Sequence, residues 1–305
     1  MKRLLRMLKL KEESGAALVI VAISMVALLG FTALTIDGGR LYSEKSKLQK
    51  ALDAAVLAGA QGIRTNENQA KTIAREVSQK NGYSLTKNEE LTVVGNEIKA
   101  EKEVSVQLTF AKALGMSETI VSAKAKARLE PIKKADGITP IAIQISDVPN
   151  KTIINCGDKN PGENHGNCGY LRIDGSGAKD LGEAIKNGLT YEIGQPVSTE
   201  PGHNTGQVGD AIEFLIKSDE SKSYCRSAST ANNSCKRVIN IVVIETWEGI
   251  NGQKPVTPIG FASYWIDKYE DKKLYGEFIK MVSPGEIGSS TEIGEYNLHG
   301  VRLVE

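Results

Sequence analysis

The sequence predicts an α+β protein. An N-terminal transmembrane helix continues into an extended helix with a small antiparallel sheet, and a mainly-β, disulfide-bearing extracytoplasmic domain follows. Three observations carry this reading. No residue from Ala16 to Ile36 is charged, and Lys2, Arg3, Arg6, Lys9 and Lys11 precede that run. Small and apolar residues then recur at helical spacing from Leu41 to Gly62. All four cysteines fall in the second half, among short apolar runs and glycine-rich turns.

The uncharged run comes first. Roughly 20 apolar residues cross the ~30 Å hydrocarbon core of a bilayer, and 16–36 meets that length. A secretory signal carries a shorter apolar region, about 7–15 residues, closed by a small-residue cleavage site. Thr35-Ile36-Asp37-Gly38-Gly39 is no such site. The basic flank places residues 1–15 in the cytoplasm and the bulk of the chain outside it. The competing reading of the run is a buried core helix. Asp37 and Arg40 are costly in hydrocarbon and mark the exit. Gly38 and Gly39 permit a bend or narrowing there, and Tyr42 suits an interfacial anchor.

Beyond the exit, Leu41, Leu48 and Ala55 recur at heptad spacing, with Leu52 and Gly59 on the adjoining ridge. Lys45, Lys47 and Lys50 lie off that ridge, toward water or headgroups. Ala51, Ala55 and Gly59 repeat every four residues, as do Ala54, Ala58 and Gly62, forming flat ridges that admit another backbone. That face either covers the protein's own sheet or mediates self-association. A second helix is expected over 67–79, capped by Asn66 and ended by Asn81-Gly82. Strands follow in "LTVVG", in "EVSVQLTF" through Phe110, and in "TIVSAKAKARLE". Residues 37–132 therefore form one α+β unit, closed by a boundary at Lys133–Gly137.

Residues 137–305 read as mainly β, with helical stretches at 179–187 and in "GDAIEFLIKS". "RVINIVVIETW" is a near-continuous apolar run, suited to a central strand. "PIGFASYWI" and "LYGEFIKMV" flank a charged hairpin tip. Cys156 and Cys168, then Cys225 and Cys235, read most simply as two local disulfides, although four cysteines allow three pairings. Zinc is the competitor, with His165 between the first pair, but the spacing matches no common zinc pattern.

The chain has 38 Lys+Arg against 37 Asp+Glu, a formal charge of +1, so no global field recruits nucleic acid. No cofactor is indicated. Asp174 and Ser176 in "IDGSGAKDL" match two positions of a D-x-S-x-S metal turn, but Ala178 replaces the third. Asp158, Asn160 and Glu163 offer oxygen ligands without EF-hand order. His165, His203 and His299 stand near no nucleophile motif such as G-x-S-x-G. Trp247 and Trp265 lie in strand-like runs and read as core.

The segment from Glu13 to Gly62 resembles the N-terminal domain of TadG-like proteins of tight-adherence (Flp-type) pilus systems. The residues that carry the resemblance are Ser14-Gly15, the apolar span, Ile36-Asp37-Gly38-Gly39-Arg40-Leu41-Tyr42, Lys47-Leu48-Gln49 and Asp53-Ala54-Ala55-Val56-Leu57-Ala58-Gly59-Ala60. The resemblance implies a single-pass, envelope-facing component of a pilus or adhesion apparatus, with other pilus or secretion-system proteins as partners. It also implies functional weight on the exit motif (Asp37, Gly38, Gly39, Arg40, Tyr42) and on helix packing through Leu48, Ala51, Asp53, Ala55 and Gly59. Pilin-like relatives carry a glutamate at the fifth position after the glycine, where this chain has Ile20. Retention of the anchor is therefore expected, without cleavage after Gly15. The alternative function is a tethered surface-binding module whose C-terminal β domain recognises a ligand. A hydrolase ranks last.

Overall fold

The structure is a computed structural model that describes residues 2–155, 167–173, 178–201, 205–288 and 296–304. Helix α1, Lys2–Gly62, is continuous over 61 residues. From Gly15 to Ile36 every residue is exposed except Ala33, which is half-covered. The most apolar window has a mean hydropathy of 2.6 and none of it is buried. A core helix would be covered, so the buried-helix reading fails. This segment is long and apolar enough to cross a membrane. Farther along the same helix, Leu48, Leu52, Ala55, Val56 and Ala60 are fully buried. One helix therefore has two solvents, a bare apolar half and a half packed on protein.

Helix α2, Glu67–Lys80, starts where the Asn66 side chain accepts the Gln69 N–H, the ordinary N-cap bond. It lies against the end of α1 through small residues. A Cβ placed on Gly59 would stand 2.7 Å from Ile98 Cδ1 and 2.8 Å from Ala74 Cβ, so no larger residue fits without displacement.

Strands β1 (Leu91–Val94) and β2 (Glu97–Gln107) form a hairpin, and β2 pairs antiparallel with β3 (Glu118–Gln144) from Glu97↔Arg128 to Gln107↔Glu118. Period-2 alternation sorts the faces. Ile98, Ala100, Ala123, Ala125 and Ala127 share the core with α1 and α2. On the outer face Glu97 pairs with Lys126 and Arg128, and Glu101 with Lys99 and Lys124. Alanines on the inner face let the long helix sit close to the sheet.

β3 does not stop at Pro131. It runs on through Lys133–Gly137, the expected boundary, as one strand. The chain then forms β4 (Ile153–Asn155), β5 (Asn167–Leu171), α3 (Ala178–Asn187), β6 (Leu189–Glu192), β7 (Val197–Pro201), α4 (Thr205–Lys217), β8 (Val238–Ile244), β9 (Pro255–Val256), β10 (Pro258–Glu270), β11 (Lys273–Ile279), β12 (Glu286–Ile287) and β13 (His299–Val304). Near Gly137 β3 changes partners. Before it, β3 pairs antiparallel with β2 and β13; after it, β3 runs parallel to β8. The switch is a register shift between Ala135 and Ile138. Gly137 is left-handed there, at φ +73, and a Cβ on Gly188 would meet its Cα at 2.4 Å. Two glycines thus allow two backbones to touch.

Beyond the switch the strands are ordered β4-β11-β10-β8-β3, and the path continues from β3 through β5 and β7 to β9. β8 is central and buried on both faces. Ile239, Ile241 and Val243 pack with α3 and α4 residues such as Ile185 and Ile212. Val242 and Ile244 join Phe261 and Trp247 on the other side. That double burial is why its sequence is continuously apolar. The β10–β11 turn places Asp271 and Lys272 at φ 51 and 63, the two left-handed positions of a tight hairpin turn. β13 returns to the first sheet, so the C-terminal strand completes the N-terminal unit.

Candidate functional site at the membrane exit

Residues 108–117 connect β2 to β3. The loop closes through the Leu108 N–H to the Ser117 carbonyl and contains a 3-10 turn at Ala111–Leu114. The strand read through Phe110 therefore ends at Gln107. The reason lies on α1. Asp37 is only 5% exposed, and its carboxylate accepts three amide N–H groups, from Thr109 at 2.8 Å, Phe110 at 3.0 Å and Ala111 at 2.7 Å. These amides are spent on a helix side chain instead of a strand ladder. Arg40 Nη1 reaches Thr109 Oγ1 at 3.5 Å.

Asp37, expected to mark a membrane exit, has a structural part in the fold. It is a buried clamp between the helix and the hairpin tip. An ionised acceptor makes such bonds about twice as strong as neutral ones, and the three donors meet the carboxylate's need for partners away from water. Higher on the helix the same two elements are tied again. Gln49 Nε2 donates to the Lys124 carbonyl at 2.7 Å and to Asp53 Oδ1 at 2.9 Å. Lys45, expected in water or among headgroups, donates from Nζ to the Ser122 carbonyl.

The remaining exit residues face away from the protein. Gly38 and Gly39 are exposed, a methyl added to either would meet no atom within 4 Å, and α1 runs through them without a break. Tyr42 is 77% exposed. Of the packing residues, Leu48, Ala51, Ala55 and Gly59 meet protein, and Asp53 is half-buried. The structure brings the small-residue face against α2 and β2 of the same chain, the first of the two readings the spacing allowed.

The other candidates separate cleanly. Cys225 and Cys235 form a disulfide. Cys156 lies outside the described residues, and Cys168 falls in β5. Asp158, Asn160, Glu163, His165, Asp174, Ser176 and His203 also lie outside the described residues. Asp219 groups with Cys225 and Cys235, but the sulfurs are bonded to each other. Its oxygens are already taken by Lys222 Nζ at 2.7 Å and the Arg237 N–H at 2.8 Å. Arg237 donates to the Ile266 and Asp267 carbonyls, both at 2.7 Å, and stacks 4.8 Å over Trp265, whose indole N–H bonds the Cys225 carbonyl. This knot fastens the disulfide loop to β10. Burial holds the Arg237 guanidinium below its ordinary pKa. His299 Nδ1 lies 2.7 Å from the Asn297 carbonyl.

Residues 15–62 match the Tad family model, described as "Putative Flp pilus-assembly TadE/G-like". The chain carries a TadG-like N-terminal Tad domain. The matched stretch ends where α1 ends, so it takes in the bare apolar segment, the Asp37 clamp and the packed small-residue face together. No curated protein and no solved structure matches the chain. The Tad match supports a pilus-associated role. The domain and the single apolar helix together fit membrane anchoring.

The partners of Asp37 were not foreseen from sequence. The signal available was the acid itself, since a carboxylate at the mouth of an apolar helix needs donors and α1 offers only Arg40 nearby. Nothing local pointed to the amides more than 70 residues away.

Proposed function

We propose that this chain is a single-span extracytoplasmic component of a Tad/Flp-type pilus or surface-adhesion apparatus. Residues 1–15 lie in the cytoplasm, residues 16–36 cross the membrane, and the bulk stands outside. It acts by packing and docking and without catalysis. The working units are an α+β head at 37–132, which β13 closes, and the mainly-β region from 137 onward. The observation that supports this reading is the coincidence of the Tad match with one helix that is bare in its first half and packed in its second. Such a helix transmits position from a bilayer to a folded head. Its exposed Gly38, Gly39 and Tyr42 are surfaces left for other envelope proteins.

The test is genetic and direct. Deleting the gene abolishes surface pili, the wild-type chain restores them, and a Gly59→Leu chain does not. Normal piliation in the deletion strain rejects the assembly role.

One observation favours the second reading, a tethered binding module. A cleft beside β6 is lined by Lys134, Arg172, Tyr191, Glu192 and Gln195, and the buried Tyr191 hydroxyl has no partner among the described residues. Ligand binding lost on Arg172→Ala, with piliation intact, would favour the module.

A further inference from the structure

The hairpin tip carries exposed apolar side chains. Phe110 is 41% exposed, Met116 55% and Ile120 66%, and Lys112 is exposed beside them. Their height is fixed by the Asp37 clamp. At 1.5 Å per residue, the uncharged run 16–36 rises about 31 Å, the thickness of the hydrocarbon core. The headgroup layer adds roughly 5–7 Å on each side, about the rise from Ile36 to Arg40. Thr109, Phe110 and Ala111 are hydrogen-bonded to Asp37, so the tip lies in that layer. Ala33 sits one helical turn nearer the N-terminus, on the same face as Asp37, and is the only half-covered residue from Gly15 to Ile36. Cover therefore extends to the last turn of the apolar run.

We infer that the β2–β3 tip is a second membrane contact, in which Phe110 and Met116 enter the boundary between acyl chains and headgroups of the leaflet through which α1 leaves. The occupant is lipid because the tip is continuous with the bare apolar surface of α1. Apolar side chains beside an exposed lysine match that layer, where the long side chain keeps its ammonium among the phosphates. Two contacts, a span and a wedge tied to its exit, would restrict the tilt and rotation of the head. This rests on the membrane-anchored reading above.

The test uses the full-length chain in phosphatidylcholine–phosphatidylglycerol vesicles, with or without phosphatidylcholine brominated high on its acyl chains. Four variants are compared by tryptophan emission after subtracting the wild-type signal of Trp247 and Trp265. Phe110→Trp and Met116→Trp report the tip. Leu28→Trp reports the span. Val94→Trp reports a still more exposed apolar site, at the end of β1 that pairs with Glu97, about 35 Å away along the 11-residue β2. Both tip positions are exposed, so the substitutions do not disturb the core.

The expected result is that bromination lowers tip emission roughly twofold, since an interfacial apolar group sinks ~5–10 Å into the boundary, while Val94→Trp is unaffected. Quenching of Leu28→Trp with tip emission no lower than that of Val94→Trp overturns the wedge and leaves the anchor standing. Absence of quenching at Leu28→Trp as well overturns both.

Discussion

The carboxylate of Asp37 accepts the amide N–H of Ala111 at 2.7 Å, across 74 residues of chain. This bond joins the two halves of the α+β head at the level where α1 changes solvent. The same residue therefore fixes the hairpin tip against the helix at the point where its bare apolar surface ends.

Removing that carboxylate should free the tip without unfolding the head. In Asp37→Ala the amides of Thr109, Phe110 and Ala111 lose hydrogen-exchange protection, while those of β2 paired with β3 keep theirs. Cellular abundance falls several-fold through turnover of the loosened form. Unchanged protection at 109–111 would show that the clamp is dispensable.

The two kinds of glycine on α1 should respond oppositely. Gly59→Leu forces a side chain into Ile98, Ala74 and the Ala70 carbonyl, an overpacking cost of about 2–3 kcal/mol. Gly39→Ala meets nothing and should gain up to about 1 kcal/mol of helix stability. Thermal unfolding in detergent measures both, and equal shifts of the same sign would contradict the packing described.

The disulfide loop offers a third check. Cys225 and Cys235 are separated by 10 residues, a closure worth about 2–3 kcal/mol through the unfolded chain. The Cys225→Ser/Cys235→Ser chain should lose about that much stability in thermal unfolding, with the Trp265 environment loosened because its indole bonds the Cys225 carbonyl. A stability equal to wild type would mean that the Asp219–Arg237 knot holds the loop unaided.

His299 gives a pH dependence. Burial, with the nearby Arg64 guanidinium, holds its imidazole below the ordinary value, against the pull of the Asn297 carbonyl. The unfolded chain therefore binds this proton first as pH falls. Stability from this group is full above about 6.5 and is lost as pH drops from there through the folded value. His299→Gln should flatten that part of the stability–pH curve measured by chemical denaturation. A curve parallel to wild type would remove His299 as its source.

Much of the fold was legible because local patterns are faithful where one face is buried. Val121, Ala123, Ala125 and Ala127 alternate with polar neighbours and do face the core. Asn66 caps the helix it was expected to cap, and the apolar run 238–244 is central. What stayed hidden was non-local. Lys133–Gly137 has the composition of a linker, yet there β3 exchanges partners between two sheets, and composition reports chain flexibility better than pairing. β13 belongs to a sheet begun 200 residues earlier, which no window could reveal. Asp37 was visible in the sequence as a charge at the end of the apolar run. Its bonding was not, because the donors are backbone amides and have no sequence signature.

Anchoring through α1 is tested most directly by carbonate extraction of cell membranes combined with protease digestion of spheroplasts, followed with antibodies to both ends of the full-length chain. A single span with its bulk outside gives a chain that resists extraction and whose C-terminal region is digested from outside while its first residues are protected. A chain released by carbonate, or a C-terminal region protected until the cells are lysed, would contradict that arrangement.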